Sequence, residues 1–253
     1  MSAALFRKLI PEQCRPIGYL THLTRNRTAS TVQQGPFQGM RLVTKSAGSA
    51  YIPKLLGIYE RELRDAVESL IAWKPDQVVD LGAAEGYYAV GMARRLPQAK
   101  IHAFEMMPDA QALLARNAKA NDVRDQIEIH GEATAANLQP LLSHFGRTCV
   151  ICDVEGAERQ LLDPGVIPAL KKTPVLVELH DFIDPEITAL LKQRFQETHH
   201  IKHIWQTGRS RTEFPWNTLY TRLLPKTYLD WSVSEWRPVR MAWFWMTPRV
   251  NRI

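Results

Sequence analysis

The chain is poor in cysteine, has no long apolar run and lacks a phosphate-type glycine triplet, and each shortage removes a class of explanation. Only three of its 253 residues are cysteine, Cys14, Cys149 and Cys152. Three thiols cannot all pair within one chain, which points to a reducing, cytoplasmic setting rather than a disulfide scaffold. Cys149 and Cys152 have C-x-x-C spacing, but they fall in an expected strand, where residues three apart face opposite sides. A joint redox or zinc role is therefore not expected. No apolar run approaches the roughly 20 residues of a membrane span. Met1–Ile10 lacks the long apolar core and small-residue cleavage site of a secretory leader. No G-x-G-x-x-G occurs, so a dinucleotide pyrophosphate cradle is not expected. Internal repeats and low-complexity tracts are absent.

What is present is one informative run, Val78-Val-Asp-Leu-Gly-Ala-Ala-Glu-Gly-Tyr-Tyr-Ala-Val-Gly91. Val78 and Val79 read as a buried strand, Asp80 as its end, and Gly82 and Gly86 as a turn too tight for side chains. A helix follows from about residue 86 to 96. Such a turn brings backbone N–H groups and a helix N-terminus to a ligand. A second strand, Lys100-Ile-His-Ala-Phe-Glu105, ends in an acid about 20 residues beyond the loop. A doubly wound fold uses that position to hold a ribose diol, and a carboxylate can accept both hydroxyls.

Strand and helix signals alternate through the middle of the chain. Strands are expected near 77–81, 100–105, 127–131, 148–154 and 175–180. Helices are expected near 86–96, 109–120, 136–145, 157–170 and 185–196. This is the pattern of a doubly wound, Rossmann-like α/β sheet with helices on both faces. Ile201–Gln206 and Thr218–Leu224 read as two further strands joined by a loop, bringing the sheet to seven with one strand antiparallel. Ahead of the core, Leu56, Tyr59, Leu63, Val67 and Leu70 form an amphipathic stripe of one long helix, about 52–72, with Glu60 beside the stripe as a candidate pocket acid. The expected organisation is a basic, partly helical extension over 1–50, a nucleoside-binding domain over 51–224, and a tail over 225–253. That tail holds Trp231, Trp236, Trp243 and Trp245 among Arg237, Arg240, Arg249 and Arg252. It fits a substrate lid, a dimer contact, a lipid or nucleic-acid surface, or plain packing.

Two segments carry chemistry. Asp153 and Glu155 follow the fourth strand, and Glu178 and His180 end the fifth. Strand C-termini line the ligand crevice of such a sheet, and residues two apart share a strand face. An imidazole near its ordinary pKa suits a general base at neutral pH, with Glu178 or Asp153 to orient it. Alternatively Asp153, Glu155, Glu178 and His180 could hold a divalent cation; hard oxygens with one imidazole suit Mg²⁺ or Mn²⁺. Glu132, followed by Ala133, lies where a nucleobase amine would be met, with Met106 near by to flank the base. His199, His200 and His203 read as a strand's polar faces rather than a metal set.

The Asp80-x-Gly82-x-x-x-Gly86 loop resembles motif I of class I S-adenosylmethionine (SAM) methyltransferases. Asp153-Val-Glu-Gly-Ala-Glu158, with Val177-Glu-Leu-His180 some twenty residues on, resembles the FkbM family within that class. The similarity covers about residues 75–205. It implies a seven-stranded class I methyltransferase sheet and SAM as cofactor. Asp80, Gly82, Ala83, Glu85 and Gly86 would form the loop around its methionine end, with Glu105, Met106, Glu132, Ala133 and Asp153 along the rest. It also implies methylation of an oxygen, hydroxyl or carboxylate, of a small molecule. No Asn/Asp-Pro-Pro-aromatic motif of nucleobase methylation stands after the fourth strand.

Charge is segregated along the chain. Residues 1–60 carry 8 Lys/Arg against 2 acids, residues 75–185 carry 10 against 16, and residues 186–253 carry 11 against 5. Basic flanks around an acidic core are compatible with a rim that attracts an anionic acceptor. They also keep open an RNA or protein methyltransferase, while a SAM-binding regulator without catalysis is the third possibility. A homo-oligomer is compatible with the tail.

Overall fold

Apolar runs become the parallel strands β1 Gln77–Leu81, β2 Lys100–Phe104, β3 Ile127–His130, β4 Thr148–Cys152 and β5 Val175–Leu179. In the computed structural model, residues 11, 14–43, 50–143 and 146–249 are described. β6 His199–Trp205 and β7 Ala242–Pro248 complete one sheet of order β3-β2-β1-β4-β5-β7-β6. β7 runs antiparallel to both β5 and β6. The result is a mixed seven-stranded, doubly wound sheet. The order reverses between β1 and β4, and a doubly wound sheet opens its ligand crevice at such a switch point, outside the strand C-termini.

The helices are α1 Pro16–Thr28, α2 Tyr51–Leu56, α3 Arg64–Trp73, α4 Tyr87–Arg95, α5 Pro108–Ala120, α6 Ala135–Leu142, α7 Glu158–Leu161, α8 Ile187–Phe195, α9 Leu219–Leu223 and α10 Lys226–Val233. Two apolar clusters cover the two sheet faces. One joins Val78, Ile101, Cys149 and Leu176 to α3 and α4. The other joins Val79, Val150, Cys152 and Val177 to α8. Cys149 and Cys152 thus lie on opposite faces, as their spacing requires. A third cluster packs Leu20 of α1, Ile52 and Leu56 of α2, Phe214, and Val233 of α10. Segments from before and after the first five strands therefore share one core cluster. No helix among the described residues is long and apolar enough to cross a membrane.

Three elements differ from the sequence expectation. The strand expected over Thr218–Leu224 is the short helix α9; the Thr218 side chain caps it by accepting the Thr221 N–H. The seventh strand is instead β7, from within the Trp/Arg tail. Its burial on both faces leaves no alternation to read. The long helix expected over 52–72 is broken. Leu56 is followed by Gly57 at φ 70° and Glu60 at φ 45° before α3 begins. A Cβ on Gly57 would lie 2.1 Å from the Gln34 carbonyl oxygen, so the break is set by close packing against residues 31–43. The helix expected over 157–170 is instead the single turn α7 and a 3-10 turn at Pro168–Lys172, with Asp163-Pro164-Gly165 between them.

Candidate functional site

The loop after β1 is built by backbone. The N–H groups of Gly82 and Ala83 both donate to the Phe104 carbonyl at the end of β2, at 2.9 Å. Gly82 sits at φ 80°, and a Cβ there would stand 1.7 Å from the Asp153 carbonyl oxygen. The turn and the end of β4 are therefore in backbone contact, which only glycine permits. Above this turn opens a cavity of about 660 Å³, within the size range of small-molecule sites.

One end of the cavity is made by β1, β2 and β3. Gly82, Ala84, Phe104, Glu105, Met106, Met107, Gly131, Glu132 and Ala133 line it. Glu105 is fixed there by two backbone donors: Ala84 N–H to Oε2 at 2.9 Å and Met107 N–H to Oε1 at 2.8 Å. Each oxygen keeps a lone pair for a ligand hydroxyl. Met106 and Met107 are exposed at the rim.

The other end is made by β4 and β5. Asp153, Glu155, His180 and Phe182 line it, joined by Tyr59, Glu235, Trp236 and Arg237. His180 is buried. Its Nδ1 faces Glu158 Oε1 at 2.5 Å, and Glu158 is buried beneath it. Its Nε2 has no hydrogen-bond partner among the described residues, but it lies 3.5 Å from Asp153 Oδ1, 3.6 Å from Glu155 Oε2 and 3.7 Å from Glu178 Oε2. Burial opposes the charged ring. The Glu158 hydrogen bond and the charges of Asp153, Glu158 and Glu155 overcome it and raise the His180 pKa above its ordinary value.

Behind this wall lies a buried charge network. Arg237 pairs with Glu60, with Glu178 at 2.6 Å and more loosely with Glu235. Glu235 is shared with Arg209 at 2.6 Å, and Arg209 also holds Glu62 at 2.9 Å. The break between α2 and α3 turns Glu60 into this network, where the Tyr88 hydroxyl donates to it at 2.5 Å. Burial pushes Glu60 up to about 7, against the pull of Arg237. Glu178 is raised as well, by burial and by Asp153 and Glu60.

The structure therefore brings Gly82, Glu105, Met106, Glu132, Ala133, Asp153, Glu155 and His180 together around one cavity. Asp80, Ala83, Glu85, Gly86 and Glu178 do not line it. Asp80 is buried, accepts the Ala89 N–H and is pushed up to about 7 by desolvation. Glu85 turns away to Lys54 Nζ at 2.6 Å. Gly86 packs against Leu114, and Glu178 is a second layer under Arg237 and His180. The partner of His180 Nδ1 is Glu158, not the expected Glu178 or Asp153. Glu158 lies in the same acidic run but five residues along, beyond the reach of a strand-face argument. Phe182 and Trp236 carried no motif, the tryptophan-rich tail being the only hint of the second, and Tyr59 read as part of an apolar helical stripe. His199 bonds to Thr198 and Thr173, and His203 stacks on Trp205, so the histidines of β6 do not converge on a ligand.

Asp153, Glu155 and His180 offer ligand atoms within 4.8 Å of one another, as do Glu60, Asp153 and Glu178. Asp153 Oδ1, Glu178 Oε2 and His180 Nε2 are buried without hydrogen bonds among the described residues. This donor set fits a hard divalent cation.

No protein-family model matches the chain. A release factor glutamine methyltransferase of Synechocystis sp. is 40% identical over 55 residues, a match spanning 22% of this chain and 18% of that enzyme. The structural neighbours are class I SAM-dependent methyltransferases. They include the O-methyltransferase TomG of Streptomyces achromogenes, solved with SAM, at 13% identity and TM-score 0.48, covering 96% of this chain and 95% of that one. A putative O-methyltransferase of Klebsiella pneumoniae is 12% identical with TM-score 0.45, covering 96% and 94%. A precorrin-6y C5,15-methyltransferase of Geobacter metallireducens is 14% identical with TM-score 0.42, covering 56% and 76%.

Proposed function

We propose that the protein transfers the methyl group of SAM to an oxygen of a small molecule. The reading rests on one arrangement above all: a carboxylate, Glu105, tied by backbone to a glycine turn, facing a cavity whose far end presents His180. Glu105 suits a ribose diol, and Glu132, Ala133 and Met106 suit a nucleobase beside it. When bound, SAM supplies an electrophilic methyl on a sulfonium sulfur. The cavity walls hold the acceptor in line with that methyl and keep water away. Glu158 orients His180 through Nδ1, which leaves Nε2 to take the acceptor's hydroxyl proton as the new O–C bond forms. This is the carboxylate–imidazole arrangement of general-base sites. The resemblance to the FkbM family and the cytoplasmic setting belong to this same reading.

The direct test is calorimetric titration with S-adenosylhomocysteine, followed by transfer from labelled SAM. Micromolar binding is expected, and no binding would remove the proposal at its base.

A second reading is favoured by the unpaired atoms of Asp153, Glu178 and His180. In it, Asp153, Glu155 and His180 hold Mg²⁺ or Mn²⁺ with Glu178 behind, and the cation would acidify the acceptor hydroxyl. Transfer that is abolished by EDTA and restored by Mg²⁺ or Mn²⁺ supports it; transfer indifferent to EDTA eliminates it. An anionic acceptor, which the basic flanks favoured, finds little support in the cavity. Among the described residues, the lysine and arginine side chains that reach it, Lys54 and Arg237, are each engaged by carboxylates.

A further inference from the structure

The β4–β5 end of the cavity carries more negative charge than its own cations balance. Asp153 and Glu155 form its wall, with Glu60, Glu158 and Glu178 buried directly behind. Glu62 and Glu235 complete the network. Against these seven carboxylates stand Arg209 and Arg237, with His180 as a third cation when protonated. An uncompensated buried charge is costly. The fully buried Glu178 and His180 each direct an unpartnered atom, Oε2 and Nε2, into this cluster.

The mouth beside it is aromatic. Trp236 and Phe182 line the cavity, yet they remain 55% and 45% exposed. Trp236 is held at φ 57°, a left-handed conformation that a bulky residue rarely adopts. Phe182 meets His180 edge-on at 5.8 Å. Exposed aromatic faces next to carboxylates form the combination that binds an organic cation, through cation–π attraction on one side and charge on the other.

We infer that the methyl acceptor carries an ammonium group, held against Asp153 and Glu155 with Trp236 and Phe182 flanking it. The inference rests on the SAM-dependent reading and names the class of its acceptor. An acceptor amine pairs with the surplus carboxylates, whereas a carboxylate or phosphate would be repelled by them. Reaction at oxygen is unaltered, with the ammonium acting as the recognition group.

The test uses the full chain saturated with S-adenosylhomocysteine, so that the amino-acid ammonium of the nucleoside is already in place. Tetramethylammonium and n-butylammonium are titrated calorimetrically, with n-butanol and n-butyrate as matched controls and MgCl₂ in a separate arm. The ammonium probes are expected to bind and the controls not to. Trp236→Ala should weaken tetramethylammonium by about tenfold, and Glu155→Gln should weaken both ammonium probes. Both variants should keep their S-adenosylhomocysteine affinity within about threefold, which shows that the site is folded. Nucleoside binding without ammonium binding overturns the inference while leaving the methyltransferase reading intact. So does butyrate binding as well as butylammonium, or Mg²⁺ excluding the ammonium probes. Absence of nucleoside binding removes both.

Discussion

At the residue scale, His180 is defined by the direction of its pKa shift. Its folded-state value is raised. The stability it contributes is therefore fully present below the ordinary histidine value and is lost as pH rises through the folded value. The same shift moves the neutral, proton-accepting ring to higher pH. The rising limb of kcat/KM against pH is thus expected above about 6.5. Glu158→Gln removes the negative charge that helps to raise the value, so that limb should move to lower pH; an unmoved limb would show that Glu158 does not act on His180. His180→Ala should lower kcat by about 10²–10⁴-fold, with S-adenosylhomocysteine affinity little changed. Asp80 makes a prediction of the same sign at lower pH. Burial raises it to about 7, so the native state holds a proton that the unfolded chain has released. Stability then falls as pH rises from about 4 to 7, by on the order of 4 kcal/mol from this one group. Urea unfolding of Asp80→Asn across that range should show a shallower pH slope than the parent; equal slopes would refute the assignment.

At the scale of elements, the most consequential is β7. It pairs with β5 over five residues and with β6 over seven, and it inserts between them. Without it β6 has no neighbour in the sheet, and the second layer of the site loses Arg237 and Glu235 just ahead of it. Trp243 is 1% exposed and stands opposite Glu178 and Ile204. Trp243→Ala is expected to cost about 3–5 kcal/mol by denaturant titration, with a loss of acceptor-site function beyond that of a distant core substitution. A cost below about 1 kcal/mol would place β7 outside the cooperative core. The break between α2 and α3 matters for a different reason. An unbroken helix would carry Glu60 on its own surface; the Gly57 turn aims it at Arg237 instead.

At the scale of the whole molecule, ligand and fold are linked. If the cavity takes the nucleoside, saturation at about 100 times Kd adds about 2.7 kcal/mol, and Tm rises by several degrees in a chain of this size. A flat melting profile across a titration of S-adenosylhomocysteine would contradict the site. Much of this was legible in the residues alone. The alternation of apolar runs with helical stripes, the Gly82 turn and the acid at Glu105 depend on neighbours within a few positions. Backbone sterics and periodicity express these directly. The five parallel strands β1–β5 and the Glu105 end of the cavity follow from them. Other features depended on contacts between distant segments: the placing of β7 from the tail, the choice of Glu158 over Glu178 as the partner of His180, and the meeting of Glu60, Arg209, Arg237 and Trp236. A fully buried strand shows no alternation, and a carboxylate's partner depends on which side chains the fold brings within about 3 Å. The sequence by itself determined the doubly wound core and its glycine turn, because those are local. Only the tertiary structure decided the acidic, aromatic-mouthed end of the cavity, because its charges come from segments nearly 180 residues apart, Glu60 and Arg237 among them.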